Sequence, residues 1–334
     1  MKSLAELNER LTRPTESEID CVARQPGDIM VLGASGKMGP SLIGRLRRAA
    51  PERRIYAVAR FGSAQTFDEM NAIGAHAIRA DLQNPEEVAQ LPQASSVFYL
   101  AGRKFGSGER PDLTWAANTI VPAFVGHYYR KSKIVAFSSG NVYPFVDSTS
   151  RGCTEADPTT PVGEYAQSAL ARERLFDYYS REHGTQTVIL RLNYAVDLRY
   201  GTIVDIARRV RNRQPVRLSV RKVNAIWQGD ANRYAIQALD LCVSPARVLN
   251  VTGPEIVDVK DIAEWFGHRF GKAVTFEGTP SRLALLNDAS QCHRLFGPPE
   301  VDLTTLREWV AEWIENGGTL LDKPTHFEVV DGQF

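Results

Sequence analysis

Leu4, Leu7 and Leu11 fall on one helical face, Pro14 ends it, and Thr15-Glu16-Ser17-Glu18 has the spacing of a capping box opening a second short helix. From Asp28 the period changes. Short apolar runs stand at 28–34 (DIMVLGA), 54–60 (RIYAVAR), 75–82 (AHAIRADL), 95–102 (SSVFYLAG), 133–139 (KIVAFSS) and 185–193 (TQTVILRLN). Helix-period segments separate them near 40–50, 65–73, 84–91, 113–131 and 163–183. Continuous apolar strands alternating with helices require a parallel sheet covered on both faces, so the fold class is α/β, doubly wound.

After Asn193 the regularity loosens. A helix is predicted near 202–213, and the run RVLNVTG (247–253) is predicted to return to the main sheet as its last strand. Helices near 258–271, 281–289 and 304–316 would build a smaller, mostly helical C-terminal lobe. The last would open at a second capping box, Thr305-Leu306-Arg307-Glu308, and stop at Gly317-Gly318. The expected organisation is a helical arm (1–27), a dinucleotide-binding domain (28–193, with about 222–253 returning to its sheet), a substrate lobe (194–221 and 254–318) and a tail (319–334). The tail carries no predicted element, and packs on the body or on another subunit.

Composition narrows the possibilities. With 43% hydrophobic residues in 334, the chain can bury one large core or two moderate ones. Forty basic against thirty-nine acidic residues leave a net charge of +1, so no global field draws the chain to nucleic acid or an anionic membrane. Cys21, Cys153, Cys242 and Cys292 are scattered, without metal-ligand spacing, and the six histidines show no pairing; no metal site is expected. The apolar runs are strand-length and the acidic N-terminus lacks a secretory apolar block, so a cytoplasmic location is expected.

Gly33, Gly36 and Gly39 in VLGASGKMG lie between the first strand and the first helix. Glycines there let the chain turn sharply and let backbone approach a pyrophosphate, whose charge the helix N-terminus favours. The spacing is GxxGxxG rather than GxGxxG, yet its position after an apolar strand favours dinucleotide binding by Gly33, Ser35, Gly36, Lys37, Met38 and Gly39. At the end of the second strand an acid would hold a ribose 2′-hydroxyl and an arginine a 2′-phosphate. The sequence has Arg60 there, which favours NADP and leaves NAD open. Asp81 and Leu82, ending the third strand, suit an adenine edge; an Asp at a strand end is also a turn former.

Together GASGKMG, Asp81-Leu82, YLAG (99–102), Asn118, FSSGNVY (137–143), EYAQSALARE (164–173), RLNYA (191–195) and WQGDANRYAIQAL (227–239) resemble the extended short-chain dehydrogenases/reductases, the NAD-dependent epimerase/dehydratase group, from about residue 28 to about 316. The resemblance implies a Rossmann-type sheet, a pyridine dinucleotide, and Ala101, Gly102, Asn118, Tyr165 and Asn193 beside it. It implies Ser139 and Tyr165 as the proton-handling pair, with Asn193 near nicotinamide and substrate. Related proteins often dimerise through helices flanking the active site, so a homodimer is expected.

One residue departs from the family pattern. The lysine of its YxxxK motif, which binds the nicotinamide ribose and lowers the pKa of the tyrosine, is replaced by Ala169. Moving a phenol from ~10 to ~7 takes about 4 kcal/mol of preferential stabilisation. A unit charge at ~5 Å and an effective dielectric of ~20 gives roughly 3 kcal/mol. Three cations are conceivable substitutes. Lys104, just past the fourth strand at the ligand-binding edge of the sheet, is the better candidate; Arg172 reads as a solvated or ion-paired surface residue, and Lys37 as meeting phosphate or solvent.

Arg208, Arg209, Arg211, Arg213, Arg217, Arg221 and Lys222 gather in the smaller lobe, mostly on a solvated face. They make an anionic small-molecule substrate plausible, with Arg221 as one contact. Asn141, Asn193, Asn224 and Gln228 could bind the hydroxyls of a polyol or sugar acid, while His326 and Glu328 in the tail read as ordinary surface residues. Two functions stay open. One is an NAD(P)-dependent oxidoreductase or epimerase acting on a sugar, sugar-acid or polyol derivative; the other is a dinucleotide sensor that kept the pocket and abandoned the chemistry.

Overall fold

The computed structural model describes every residue except Asp322, Pro324, Val330, Gln333 and Phe334. Seven strands form its main sheet: β1 (Ile29–Leu32), β2 (Ile55–Ala59), β3 (His76–Arg79), β4 (Ser96–Tyr99), β5 (Lys133–Ser139), β6 (Thr187–Leu192) and β7 (Arg247–Val251). Their order is β7-β6-β5-β4-β1-β2-β3, and every pairing is parallel. The apolar runs alternate between the two faces. Ile29 and Val31 pack with Leu42, Leu46 and Tyr234 on one side; Met30 and Leu32 pack with Tyr99, Val125 and Phe176 on the other. The Rossmann-type α/β fold follows, with the order reversing beside β1 to open a ligand crevice at the carboxyl edge.

The smaller lobe packs helices Thr202–Arg211, Val259–Phe270 and Leu303–Glu315 around Ile203, Ile206, Val210, Phe266, Val310 and Trp313. Several boundaries differ from expectation. Of the stretch 222–253, only β7 joins the main sheet, while Lys222–Asn224 pairs antiparallel with Ile256–Asp258. The expected helix at 281–289 is a loop that turns buried only from Ala284: Leu283–Ala284 pairs with Val146–Asp147, and the Asp288 carboxylate takes the amide of Ser290, so the helix starts only at Ser290–Phe296. The last long helix is capped by Asp302, which accepts from the Thr305 amide at 2.7 Å, three residues ahead of the expected cap. The segment near 113–131 is interrupted by a π-helical turn at Ala116–Ile120.

The N-terminal arm and the described residues of the tail pack on the body. In the arm, Leu7 and Leu11 are buried but Leu4 is 49% exposed, so the predicted face is two residues wide rather than three. The capping box at Thr15 forms, and Glu18 turns inward to a buried pair with Arg45 on the first domain helix (Nη2–Oε2 2.8 Å). In the tail, the Leu321 amide donates to the Arg199 carbonyl and Phe327 is buried in the small-lobe core. The four cysteines are buried and free, and among the described residues no helix is long and apolar enough to cross a membrane.

Candidate functional site

The residues singled out from sequence lie at the carboxyl ends of consecutive parallel strands: the glycine loop after β1, Arg60 after β2, Asp81 after β3, 100–104 after β4, Ser139 closing β5 and Asn193 after β6. Gly33 has φ +87°, and a Cβ there would lie 2.6 Å from the Ala101 amide nitrogen, so the corner between β1 and β4 needs glycine. A Cβ on Gly39 would run into the Ala34 carbonyl, which fixes the helix tight against the strand. Around Gly36 only the Gly33 carbonyl comes close, at 3.1 Å, which leaves a bare backbone cradle at the start of helix Gly39–Ala49. That cradle fits a dinucleotide pyrophosphate.

At the other strand ends, Arg60 is exposed, and the guanidinium of Arg79 donates to the carbonyls of Arg60 and Phe61. Asp81 accepts from the Gln83 amide at 3.0 Å, the turn-forming geometry, and Leu82 is buried. Asn118 ties three segments together. Its amide nitrogen donates to the Arg103 carbonyl and the Ser168 hydroxyl, both at 2.9 Å, and its oxygen accepts from the Arg103 amide at 3.0 Å. The loop carrying Lys104 is thereby fastened to helix Glu164–His183, which carries Tyr165 in its first turn.

Ala169 is fully buried against Val142, Tyr143 and Cys153. Lys104 Nζ lies 5.6 Å from the Tyr165 ring centroid and 5.8 Å from that of Phe105. Desolvation pulls this lysine down to about 8, with the Glu328 carboxylate acting in the opposite sense. Lys37 does not extend into solvent: its ammonium sits 3.2 Å from the Tyr200 ring centroid and 4.6 Å from that of Phe105. Burial, then repulsion from Lys104 and Lys323, pulls it down to about 7. Arg172 is not a surface residue. It is 6% exposed, donates to the Ala101 carbonyl at 3.2 Å, and keeps a buried Nε without a partner among the described residues. The loop 101–102 folds over this helix and covers it.

Ser139 caps the turn Gly140–Val142; its hydroxyl donates to Asn141 Oδ1 (2.9 Å) and accepts from the Asn141 amide (3.2 Å). Its neighbour Ser138 points elsewhere, donating to Glu173. Tyr194 follows Asn193 with φ +43°, a left-handed turn a tyrosine rarely adopts.

Residues 29–221 match the NAD dependent epimerase/dehydratase family. The chain belongs to that family. A 2-alkyl-3-oxoalkanoate reductase of Shewanella oneidensis is 28% identical over 171 residues, covering 48% of this chain and 42% of the reductase, so the chain spans under half the length of that curated relative. The UDP-glucose 4-epimerase of Thermotoga maritima superposes with a TM-score of 0.72 at 16% identity, over 87% of this chain and 99% of its own. A dTDP-glucose 4,6-dehydratase of Streptomyces venezuelae, solved with NAD, gives 0.72 at 16% identity, over 86% of this chain and 97% of its own. At such identities the likeness is one of fold.

Three features of this epimerase/dehydratase family member were not anticipated. Asn287, 1% exposed, has neither amide atom partnered among the described residues, and a Cβ on Gly140 would lie 2.9 Å from both. It lies within the segment 281–289, whose Leu285 carbonyl accepts from Asn193; Asn193 also donates to Asn224 at 2.8 Å. Of the expected substrate arginines, Arg221 is exposed yet ion-paired with Asp258 at 2.9 Å. Finally, Glu328 is 14% exposed at its side chain and the His326 ring lies tilted against Phe105 (5.9 Å), so these tail residues belong to this region and not to open surface. No local pattern signalled it, since the acids of the tail, Glu328 among them, stand apart without periodicity.

Proposed function

We propose that the chain is an NAD(P)-dependent oxidoreductase or epimerase acting on the hydroxyl–carbonyl pair of a sugar, sugar-acid or polyol derivative. Hydride exchange at the substrate carbon is the chemistry a bound nicotinamide supplies. Gly33, Ser35, Gly36, Lys37, Met38 and Gly39 would hold the pyrophosphate, with Ala101, Gly102 and Asn193 along the nicotinamide half and Asp81 and Leu82 by the adenine. Tyr165 moves the hydroxyl proton, and Ser139 hydrogen-bonds the oxygen as charge develops there. Asn141 and Asn193 would contact the substrate.

The observation that carries this reading is the Lys104 ammonium 5.6 Å from the Tyr165 ring. That closeness supports Lys104 as the substitute for the cation that the family places at position 169. Asn118 acts as a positioning residue, since it fastens the Lys104 loop to the Tyr165 helix. The exposed Arg60 supports NADP; titration with NADPH and NADH should show a preference that Arg60→Ala erases. Ile120, exposed on the π-helical turn, and Tyr178, exposed on the Tyr165 helix, support a homodimer, which a molar-mass measurement by light scattering checks.

The missing lysine favours a second reading, a dinucleotide sensor without turnover. A panel of sugars, sugar acids and polyols with either coenzyme separates the two. Turnover that Tyr165→Phe lowers by about 10²–10⁴-fold, with coenzyme binding kept, supports the enzyme. Tight coenzyme binding with no turnover across the panel supports the sensor.

A further inference from the structure

The tail bridges the two lobes. On the small-lobe side, the amide and hydroxyl of Thr325 donate to Asp205 at 2.8 and 2.6 Å, and Ser219 Oγ donates to the Glu328 carbonyl at 3.0 Å. On the other side, Gly332 lies against the start of the Tyr165 helix: a Cβ on Gly163 would be 2.5 Å from the Gly332 carbonyl. Between these anchors His326 meets Phe105, and Phe327 plugs the small-lobe core.

Glu328 brings its carboxylate to the lobe's own cations. It lies 3.6 Å from Arg209 and 3.7 Å from Arg217, and Arg217 is held from its other side by Glu277 at 2.9 Å. With Arg221 on Asp258, three of the arginines that looked available to an anionic substrate are answered by acids of the same chain. Asp205 adds a further buried carboxyl beside the strap, and Glu328 acts electrostatically on both Lys104 and Tyr194.

We propose that residues 325–329 and Gly332 form a strap closing the cleft from the small lobe to the Tyr165 helix, and that Glu328 on it makes the cleft reject substrates bearing a nucleoside diphosphate and admit compact, weakly charged ones. Charge and bulk act together. A diphosphate entering between Lys104 and Arg209 would have to displace the Glu328 carboxylate and the strap that carries it, whereas an uncharged hydroxyl–carbonyl compound meets no such repulsion. The inference rests on the reading of this cleft as the substrate site, and it separates the chain from UDP-sugar epimerases that share its fold.

Isothermal titration of UDP-glucose into the full-length protein, preloaded with NAD(H) or NADP(H), tests it. Glu328→Gln, which keeps the strap and removes its charge, should tighten UDP-glucose binding at least threefold over the unaltered chain. A deletion from Thr325 onward should tighten it at least tenfold. A smaller gain in Glu328→Gln overturns the proposal, whatever the deletion does, because that variant leaves the fold's anchors in place. Failure of the preloading step itself would instead sink the dinucleotide reading, so the two failures are distinguishable.

Discussion

Two polar clusters hang on the helix that carries Tyr165, and they are built in opposite ways. In one, Glu173 accepts from Ser138 (2.6 Å) and from Arg191 Nε and Nη2 (3.0 and 2.7 Å); Arg191 also donates to the Tyr143 hydroxyl (2.7 Å), which donates to Asn250 (2.9 Å). Each charge there faces its opposite, and burial pushes Tyr143 up to about 12. In the other, two ammonium groups, Lys37 and Lys104, share an aromatic corner with Phe105, Tyr165 and Tyr200. Like charges in a desolvated place cost free energy, which Asp205 on Lys37 and Glu328 on Lys104 offset only in part. The first cluster holds the fold; the second is where chemistry is to be sought.

The sharpest way to break the comparison is to unbalance the satisfied cluster. Glu173→Gln leaves Arg191 buried without its counter-charge, and should cost about 3–5 kcal/mol in urea-unfolding free energy. Next comes Lys104→Met, which should lower kcat about 100-fold, the rate equivalent of roughly 3 kcal/mol, while leaving unfolding free energy unharmed. Because Lys104 titrates near 8, the rate of the unaltered chain should fall as pH rises through about 8, and that limb should vanish in Lys104→Met. Ala169→Lys should destabilise by about 1–3 kcal/mol, since Ala169 is fully buried among Val142, Tyr143 and Cys153. It should raise the rate only in the Lys104→Met background, where a cation is wanting.

The smallest effect concerns Lys37. Its folded value of about 7 lies below the ordinary 10.5, so between these the unfolded chain binds the extra proton and stability rises with pH. The deficit is fully present below pH 7. Lys37→Met should therefore melt several degrees above the unaltered chain at pH 6.5, and the gap should close towards pH 10 in thermal scans without coenzyme.

How much of this was readable beforehand depended on the range of the interactions. The sheet was legible because its strands are apolar on both faces, and the glycine loop because Gly33 and Gly39 answer local backbone demands. The proximity of Lys104 to Tyr165 follows from the position of one just past a strand and of the other at a helix start. Arg172 was misjudged because helical spacing gives its face but not the loop at 101–102 that covers it. The segment 281–289 has helical composition, yet an Asp288 side chain capping Ser290 and a pairing to Val146–Asp147 override it. Glu328 was lost for a different reason: its partners at 209 and 217 stand more than a hundred residues away, and no periodicity marks a chain that travels without regular structure.

The arm at the opposite end has a remote reach of its own. Thr12 packs where a Cβ on Gly44 would stand, 2.7 Å from its methyl, and Glu18 grips Arg45 from within, so the helix whose first turn frames the phosphate cradle is clamped along its outer side. Shortening or fusing the front of the polypeptide would thus loosen a rod whose tip meets the coenzyme, and dinucleotide affinity becomes a gauge of how firmly that distant brace is seated.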